Sequence, residues 1–196
     1  ERVGPSLILG DIGSHAHHMA AFVACQPFAR VSADVTTVVP GRNAHDYAAV
    51  NFRLANGAPG ALWVTQAGAG AIHGLHFRVF GEKGGLEWVQ ETPNQLFHPR
   101  PEAPALTYER GGPGLKPEAR RAERVAIGHP EGYQEAFAVL YADAAEALVA
   151  RRLGMAPNRL ALDFPGVTDG AHTLKFIATA VESSRNGKWV DCRLEP

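Results

Sequence analysis

The stretch Ala48-Ala49-Val50-Asn51-Phe52-Arg53-Leu54-Ala55-Asn56-Gly57-Ala58-Pro59-Gly60-Ala61-Leu62-Trp63-Val64-Thr65-Gln66-Ala67 carries the strongest local signal in the chain. Ala48, Val50, Phe52 and Leu54 alternate up to Asn56-Gly57, and alternation resumes from Ala61 to Ala67. A period of two places such residues on one face of a strand. Asn-Gly supplies the positive φ angles of a type I′ turn, so the two runs are predicted to form an antiparallel hairpin. Pro59 lies close to that turn and predicts a longer loop or a bulge there.

Upstream, Val31, Ala33, Val35, Thr37 and Val39 alternate with Arg30, Ser32, Asp34 and Thr36, which predicts a strand over 28–39. Before it, His15, His18, Met19, Phe22 and Val23 share one helical face over 12–24, with Asp11 suited to be its N-cap. Downstream, strands are expected at 75–80, 86–90 and 95–98, with turns at Gly84-Gly85 and Pro93-Asn94. Residues 99–130 read as the longest irregular segment, with one strand at 106–109. Two helices close the chain. The first carries an apolar stripe of Tyr133, Phe137, Leu140, Tyr141, Ala144 and Leu148 and stops at Gly154. The second is capped by Thr168 or Asp169, has the stripe Leu174, Ile177, Ala178 and Val181, and ends at Gly187 before a short strand at 188–192. Helix, then strands, then helices is an α+β order: one predominantly antiparallel open β-sheet with helices packed on one face.

A chain of 196 residues can bury one sizeable core as a single domain. Its 19 basic and 20 acidic residues give a formal net charge of -1, so bulk charge supports neither a nucleic-acid nor a membrane partner. Arg120, Arg121 and Arg124 form a basic run that Glu118 and Glu123 interrupt, which reads as a solvated loop. Cys25 and Cys192 share no metal-ligand spacing and are expected to be reduced thiols of a cytoplasmic protein. No apolar run reaches the length of a membrane span, and the first residues lack a signal-peptide pattern.

The densest polar cluster is Gly10-Asp11-Ile12-Gly13-Ser14-His15-Ala16-His17-His18. Asp11 and His15 are four apart, so a helix turns both to one side; His18 joins them and His17 points away. A carboxylate beside an imidazole suits a general base. The residues equally fit a structural role, in which Asp11 caps the helix and the histidines are ordinary core or surface groups. A metal site is disfavoured, because residues two apart on a helix diverge and no companion ligand pair is present. Gly68-Ala69-Gly70 has the wrong spacing for a dinucleotide fingerprint, and Ser14 lacks a nucleophile-elbow context.

Gly10-Asp11-Ile12-Gly13-Ser14-His15 resembles the motif that opens the catalytic helix of Gfo/Idh/MocA oxidoreductases. Further stretches resemble the same family in the same order. They are Val39-Pro40-Gly41-Arg42, Asn56-Gly57-Ala58 with Gly60, the run from Phe80 to Trp88, Gly128-His129-Pro130-Glu131-Gly132-Tyr133 with Glu135-Ala136-Phe137, Phe164-Pro165 with Asp169-Gly170, Lys175-Phe176-Ile177, and Glu182-Ser183-Ser184.

The resemblance implies the C-terminal substrate-binding and dimerisation domain, with the fold of the glyceraldehyde-3-phosphate-dehydrogenase-like C-terminal domain, over 1–196. It implies an N-terminal Rossmann domain absent from this chain that holds most of an NAD or NADP cofactor. The implied substrate is a sugar, polyol or anhydro-sugar, and the implied assembly a homodimer or tetramer through the open sheet face. Asp11 and His15 carry over as the catalytic pair, with possible cofactor contact. His18, where family members often carry an acidic residue, Gln66 and His129 are candidates for binding substrate. Glu82-Lys83 is similar to the family's Glu-Lys-Pro motif, but Gly84 follows it and Lys83 is expected to be an exposed turn residue. This fragment is not expected to be active alone. The alternative is a stand-alone, non-catalytic dimerisation or small-molecule-binding module.

Overall fold

A computed structural model describes residues 6–194. Its strands are β1 (Phe28–Thr36), β2 (Tyr47–Leu54), β3 (Pro59–Thr65), β4 (His76–Gly81), β5 (Gly84–Val89), β6 (Gln95–Arg100), β7 (Ala103–Glu109) and β8 (Val190–Asp191). Its α-helices are α1 (Ser14–Ala24), α2 (Pro117–Arg121), α3 (Tyr133–Arg152) and α4 (Val167–Asn186). Every strand pair is antiparallel, and the α+β class holds. The strands divide between two sheets, however, ordered β3-β2-β1-β8 and β4-β5-β6-β7. Among the described residues, those from 6 to 71 together with 165–194 form one compact unit, and Ile72–Phe164 form the other. No helix among the described residues is long and apolar enough to cross a membrane.

The first unit holds the core. β1 and β2 pair so that Val31 meets Phe52, Ala33 meets Val50 and Val35 meets Ala48, which collects their apolar side chains on one face. Phe176, Ile177, Ala180 and Val181 of α4 are buried in the same core, as are Ile8 and Leu9. Burying a residue such as Phe176 contributes roughly 2–3 kcal/mol over leaving it in water. The expected stripe of α4 is therefore rotated: Ile177 and Val181 are buried, but Leu174 is 70% exposed. The rotation is explained by Ser183 and Ser184. β8 covers β1 only at Arg30 and Val31, so the following edge groups need other partners. The Ser183 hydroxyl accepts from Ala33 N–H at 3.0 Å, and the Ser184 hydroxyl accepts from Val35 N–H at 2.9 Å. Helix α4 thus closes the sheet edge with two side chains. Asp169 supplies its cap, accepting from Gly166 N–H at 2.7 Å, while Thr168 makes no such bond.

The predicted hairpin forms, but not with a type I′ turn. Only Gly57 has a positive φ, 88°; Gly57 N–H donates to Leu54 O and Leu54 N–H to Ala58 O. That is the wider three-residue loop closed by a glycine, in line with the Pro59 signal. Strand β1 stops at Thr36, short of 39, because Asp46 draws Val38 and Val39 N–H into a loop.

The second unit differs in kind. The four strands are close to prediction, and Lys83 is exposed in the β4–β5 turn. The stretch over 99–130 is more ordered than expected, holding β7 and α2. Arg121 of the basic run is not solvated: it pairs with Asp143 and Glu146 of α3, at 2.7 Å each. Ala161 is the only buried hydrophobic residue in this unit. The stripe of α3 predicted to be buried stays exposed, with Tyr133 at 76% and Leu148 at 66%.

Candidate functional site

The polar cluster at 10–18 lies on a longer helix than its sequence suggests. Helical backbone begins at Leu7, and Gly10 N–H donates to Ser6 O at 3.0 Å. Burial of Ile8 and Leu9, both fully enclosed, extends the helix toward the N-terminus. A five-residue π-helical turn, Leu9–Gly13, then joins it to α1, with Ser14 N–H reaching back to Leu9 O. Such single π turns are frequent at functional sites. Asp11 is consequently not an N-cap, which corrects the sequence expectation. It sits mid-helix with its carboxylate unconsumed by capping.

That carboxylate is exposed and accepts one bond, from Gln66 Nε2 at 2.8 Å. Gln66 follows β3, and its backbone is held at both ends. Its N–H donates to Asp46 O at 2.8 Å, and its carbonyl accepts from Arg42 Nη1 at 3.1 Å. Asp46 is 1% exposed. Its carboxylate accepts from Val38 N–H (2.8 Å), Val39 N–H (3.2 Å) and Arg42 Nη1 (3.0 Å). The Val38 amide above all, opposed by burial and helped by Val39 and Arg42, holds Asp46 below the usual carboxylate range. Thr65 adds a hydroxyl bond to Asp46 O at 3.0 Å. Asp46 and Arg42 were not predicted as site residues. Arg42 belongs to the stretch Val39-Pro40-Gly41-Arg42 that resembles the family, but the only signal joining it to Asp46 is a four-residue spacing before a strand, which many turns share.

The predicted residues are placed unequally. Asp11 and Gln66 are in direct contact. His15 is exposed, about one turn further along the helix, and no hydrogen bond among the described residues joins it to Asp11. His18 lies elsewhere, stacked 6.3 Å from Phe22 and lining a cavity of about 260 Å³ with Cys25, Asp169 and His172. Asp11, His15 and Gln66 do not line that cavity. His129 is exposed in the other unit, where Arg110 Nη2 donates to its carbonyl at 2.8 Å. Arg110 also pairs with buried Glu131 at 2.6 Å and shapes that loop.

His17 does point away from Asp11 and His15, into the core. It is 2% exposed, stacked 4.5 Å from Phe176 and edge-on to Phe28 at 4.6 Å, and its Nδ1 lies 3.3 Å from Thr173 Oγ1. Burial first, then the neighbouring His18 and His172, push it down to about 4. It is a neutral core residue at physiological pH. Among the described residues no three His, Cys, Asp or Glu side chains gather as a metal-binding group. Chemically, the exposed edge of this helix offers an oriented carboxylate and an imidazole that can accept a proton.

Comparison with known proteins bears on the fold. Residues 2–87 match the family described as the GFO/IDH/MocA C-terminal domain. The uncharacterized oxidoreductase YfiI of Bacillus subtilis is 30% identical over 193 residues, covering 96% of this chain and 49% of that protein. An oxidoreductase from Sinorhizobium meliloti is 37% identical with a TM-score of 0.87, over 93% of this chain and 51% of its own. An inositol dehydrogenase homolog from Azotobacter vinelandii, solved with NADH and myo-inositol, is 32% identical with a TM-score of 0.86, over 97% of this chain and 51% of its own. The chain therefore spans about half the length of these relatives.

Proposed function

Because this chain belongs to the Gfo/Idh/MocA family, we propose that it is the substrate-binding and oligomerising half of an NAD(P)-dependent oxidoreductase acting on a hydroxyl of a sugar, polyol or anhydro-sugar. The observation that carries the proposal is the presentation of Asp11. Its carboxylate is freed from capping by the π turn, oriented by Gln66, and set about one turn from exposed His15. The nucleotide's phosphates find no fit in these residues. All strand pairs are antiparallel, so the parallel βαβ unit that seats a pyrophosphate is lacking among them. An N-terminal Rossmann domain outside the 196 residues would hold most of the cofactor, and Asp11 and His15 would face its reacting end.

When bound, the nicotinamide supplies the hydride-accepting chemistry. The residues of this chain orient the hydroxyl and manage its proton. Asp11 accepts a hydrogen bond and holds the hydroxyl in register, while His15 takes the proton as general base. His18, which opens onto a separate cavity, and His129, in the Ile72–Phe164 unit, are the weaker substrate-contact candidates. Oligomerisation uses the open face of the β3-β2-β1-β8 sheet, where Trp63 is 63% exposed beside Tyr47. Its two free cysteines accord with a cytoplasmic location.

In the whole protein, His15→Asn is expected to lower turnover by about 10²- to 10⁴-fold, the usual contribution of a general base, with cofactor affinity retained. Wild-type turnover in that variant would remove His15 from the reaction.

A further inference from the structure

We infer that Gln66 is a positioning residue for Asp11, and that Arg42 and the buried Asp46 set its position. This rests on the proposed role of Asp11. Gln66 donates to Asp11 Oδ2 at 2.8 Å, the one side-chain bond that carboxylate makes among the described residues. The amide can point there because the backbone of Gln66 is pinned on both sides, by Asp46 O and by Arg42 Nη1. Arg42 Nη1 is shared between Gln66 O (3.1 Å) and Asp46 Oδ2 (3.0 Å), so one guanidinium ties a buried carboxylate to the residue that holds an exposed one. A chain of four residues, Asp46, Arg42, Gln66 and Asp11, runs from the core to the surface of the helix. Charge is matched along it: the buried carboxylate faces a cation, and the exposed one faces a neutral donor.

The arrangement has a mechanical purpose. Asp11 lies on the single π turn Leu9–Gly13, a kind of turn frequent at functional sites, and the only side chain that fixes its carboxylate among the described residues is that of Gln66. Gln66 directly follows β3, a strand of the core sheet, and its backbone is fixed by Asp46 and Arg42, so the support comes from a held position. A displacement of about 1 Å at such a site costs up to about 100-fold in rate. This assigns Gln66 a role through Asp11, not one as a direct ligand of the sugar.

The test uses the whole protein and steady-state kinetics on four variants beside the wild type: Gln66→Leu, Gln66→Glu, Arg42→Ala and the double variant Arg42→Ala/Gln66→Leu. Both side chains are substantially exposed, and Asp46 keeps its bonds from Val38 and Val39 without Arg42, so each variant is expected to fold with an unchanged far-UV circular dichroism spectrum. Gln66→Leu is expected to lower kcat about 10-fold with both KM values within about 2-fold of wild type. Gln66→Glu keeps the shape but sets carboxylate against carboxylate, and it falls further than Gln66→Leu. Arg42→Ala lowers kcat about 3-fold, and the double variant is no worse than Gln66→Leu, because Arg42 acts only through Gln66. Multiplicative losses in the double variant, an active Gln66→Glu, or a raised substrate KM with unchanged kcat would overturn the inference. Asp11→Asn, assayed alongside, separates the two levels. If it is as active as wild type, the role of Asp11 fails and the inference with it. If it is strongly impaired while Gln66→Leu is not, only the positioning role fails.

Discussion

Lowering the pH should loosen the first unit through a single side chain, His17. In the folded protein its imidazole is pushed down to about 4, chiefly by burial among Phe28 and Phe176 and then by His18 and His172; the ordinary value is 6.5. The unfolded chain takes up a proton through pH 6.5 while the folded chain does not, so stability falls as pH drops from about 6.5 toward 4. The shift corresponds to about 3 kcal/mol in full, of which about 2 kcal/mol is lost between pH 7 and 5. His18, His172 and Asp169 line the neighbouring cavity and are unchanged in the comparison variant, so the difference between the two proteins isolates His17. That variant is His17→Phe, which keeps an aromatic ring between Phe28 and Phe176 and loses the bond to Thr173. Hydrogen exchange of the buried α4 amides from Phe176 to Val181 reads the opening free energy of this unit without requiring the whole chain to unfold at once. Between pH 7 and 5 the wild type should lose about 2 kcal/mol more than His17→Phe. Asp46 and Asp191, the carboxylates of this unit that are held low, add their losses only at still lower pH, so the window is kept above 5. Parallel pH profiles for the two proteins would refute the reasoning.

Ser183→Ala should destabilise the first unit by about 1–3 kcal/mol, because Ala33 N–H then loses its partner at the sheet edge; denaturant midpoints of variant and wild type measure it. Gly60→Ala should cost about 1–3 kcal/mol, since a Cβ there would lie 2.1 Å from Phe52 Cζ, while Phe52 is confined by Phe28 at 4.0 Å between ring centroids; a lowered melting temperature is the readout. Thiol labelling at pH 8 should modify exposed Cys25 quickly. Buried Cys192, pushed up to about 11 by burial, should stay protected by at least about 100-fold until denaturant is added; mass spectrometry of the labelled peptides distinguishes them.

Much of this molecule is legible residue by residue. The alternation at 48–67 with its Asn-Gly identifies the central hairpin, since a period of two and a positive-φ glycine are local properties. Its turn type was less legible, because the loop width depends on how Pro59 and Gly60 accommodate the Phe52 ring from the neighbouring strand. The helix bearing Asp11 and His15 is likewise readable from its periodicity. Its true start is not, because Ile8 and Leu9 are drawn into helix by burial against residues far away in sequence. The apolar stripe of α3 shows the opposite failure: a helical period identifies a helix, but not whether anything covers its face.

Sequence alone therefore determined the antiparallel α+β class, the family resemblance and the candidate pair Asp11 and His15, all of which rest on local pattern. Tertiary structure decided the rest. It turned Asp11 from a cap into a supported side chain, sent His17 into the core, and made Gln66 the neighbour of Asp11 across 55 positions of sequence. The reason is physical: a hydrogen bond between distant residues leaves no period in the chain, and only packing brings the two atoms to 2.8 Å.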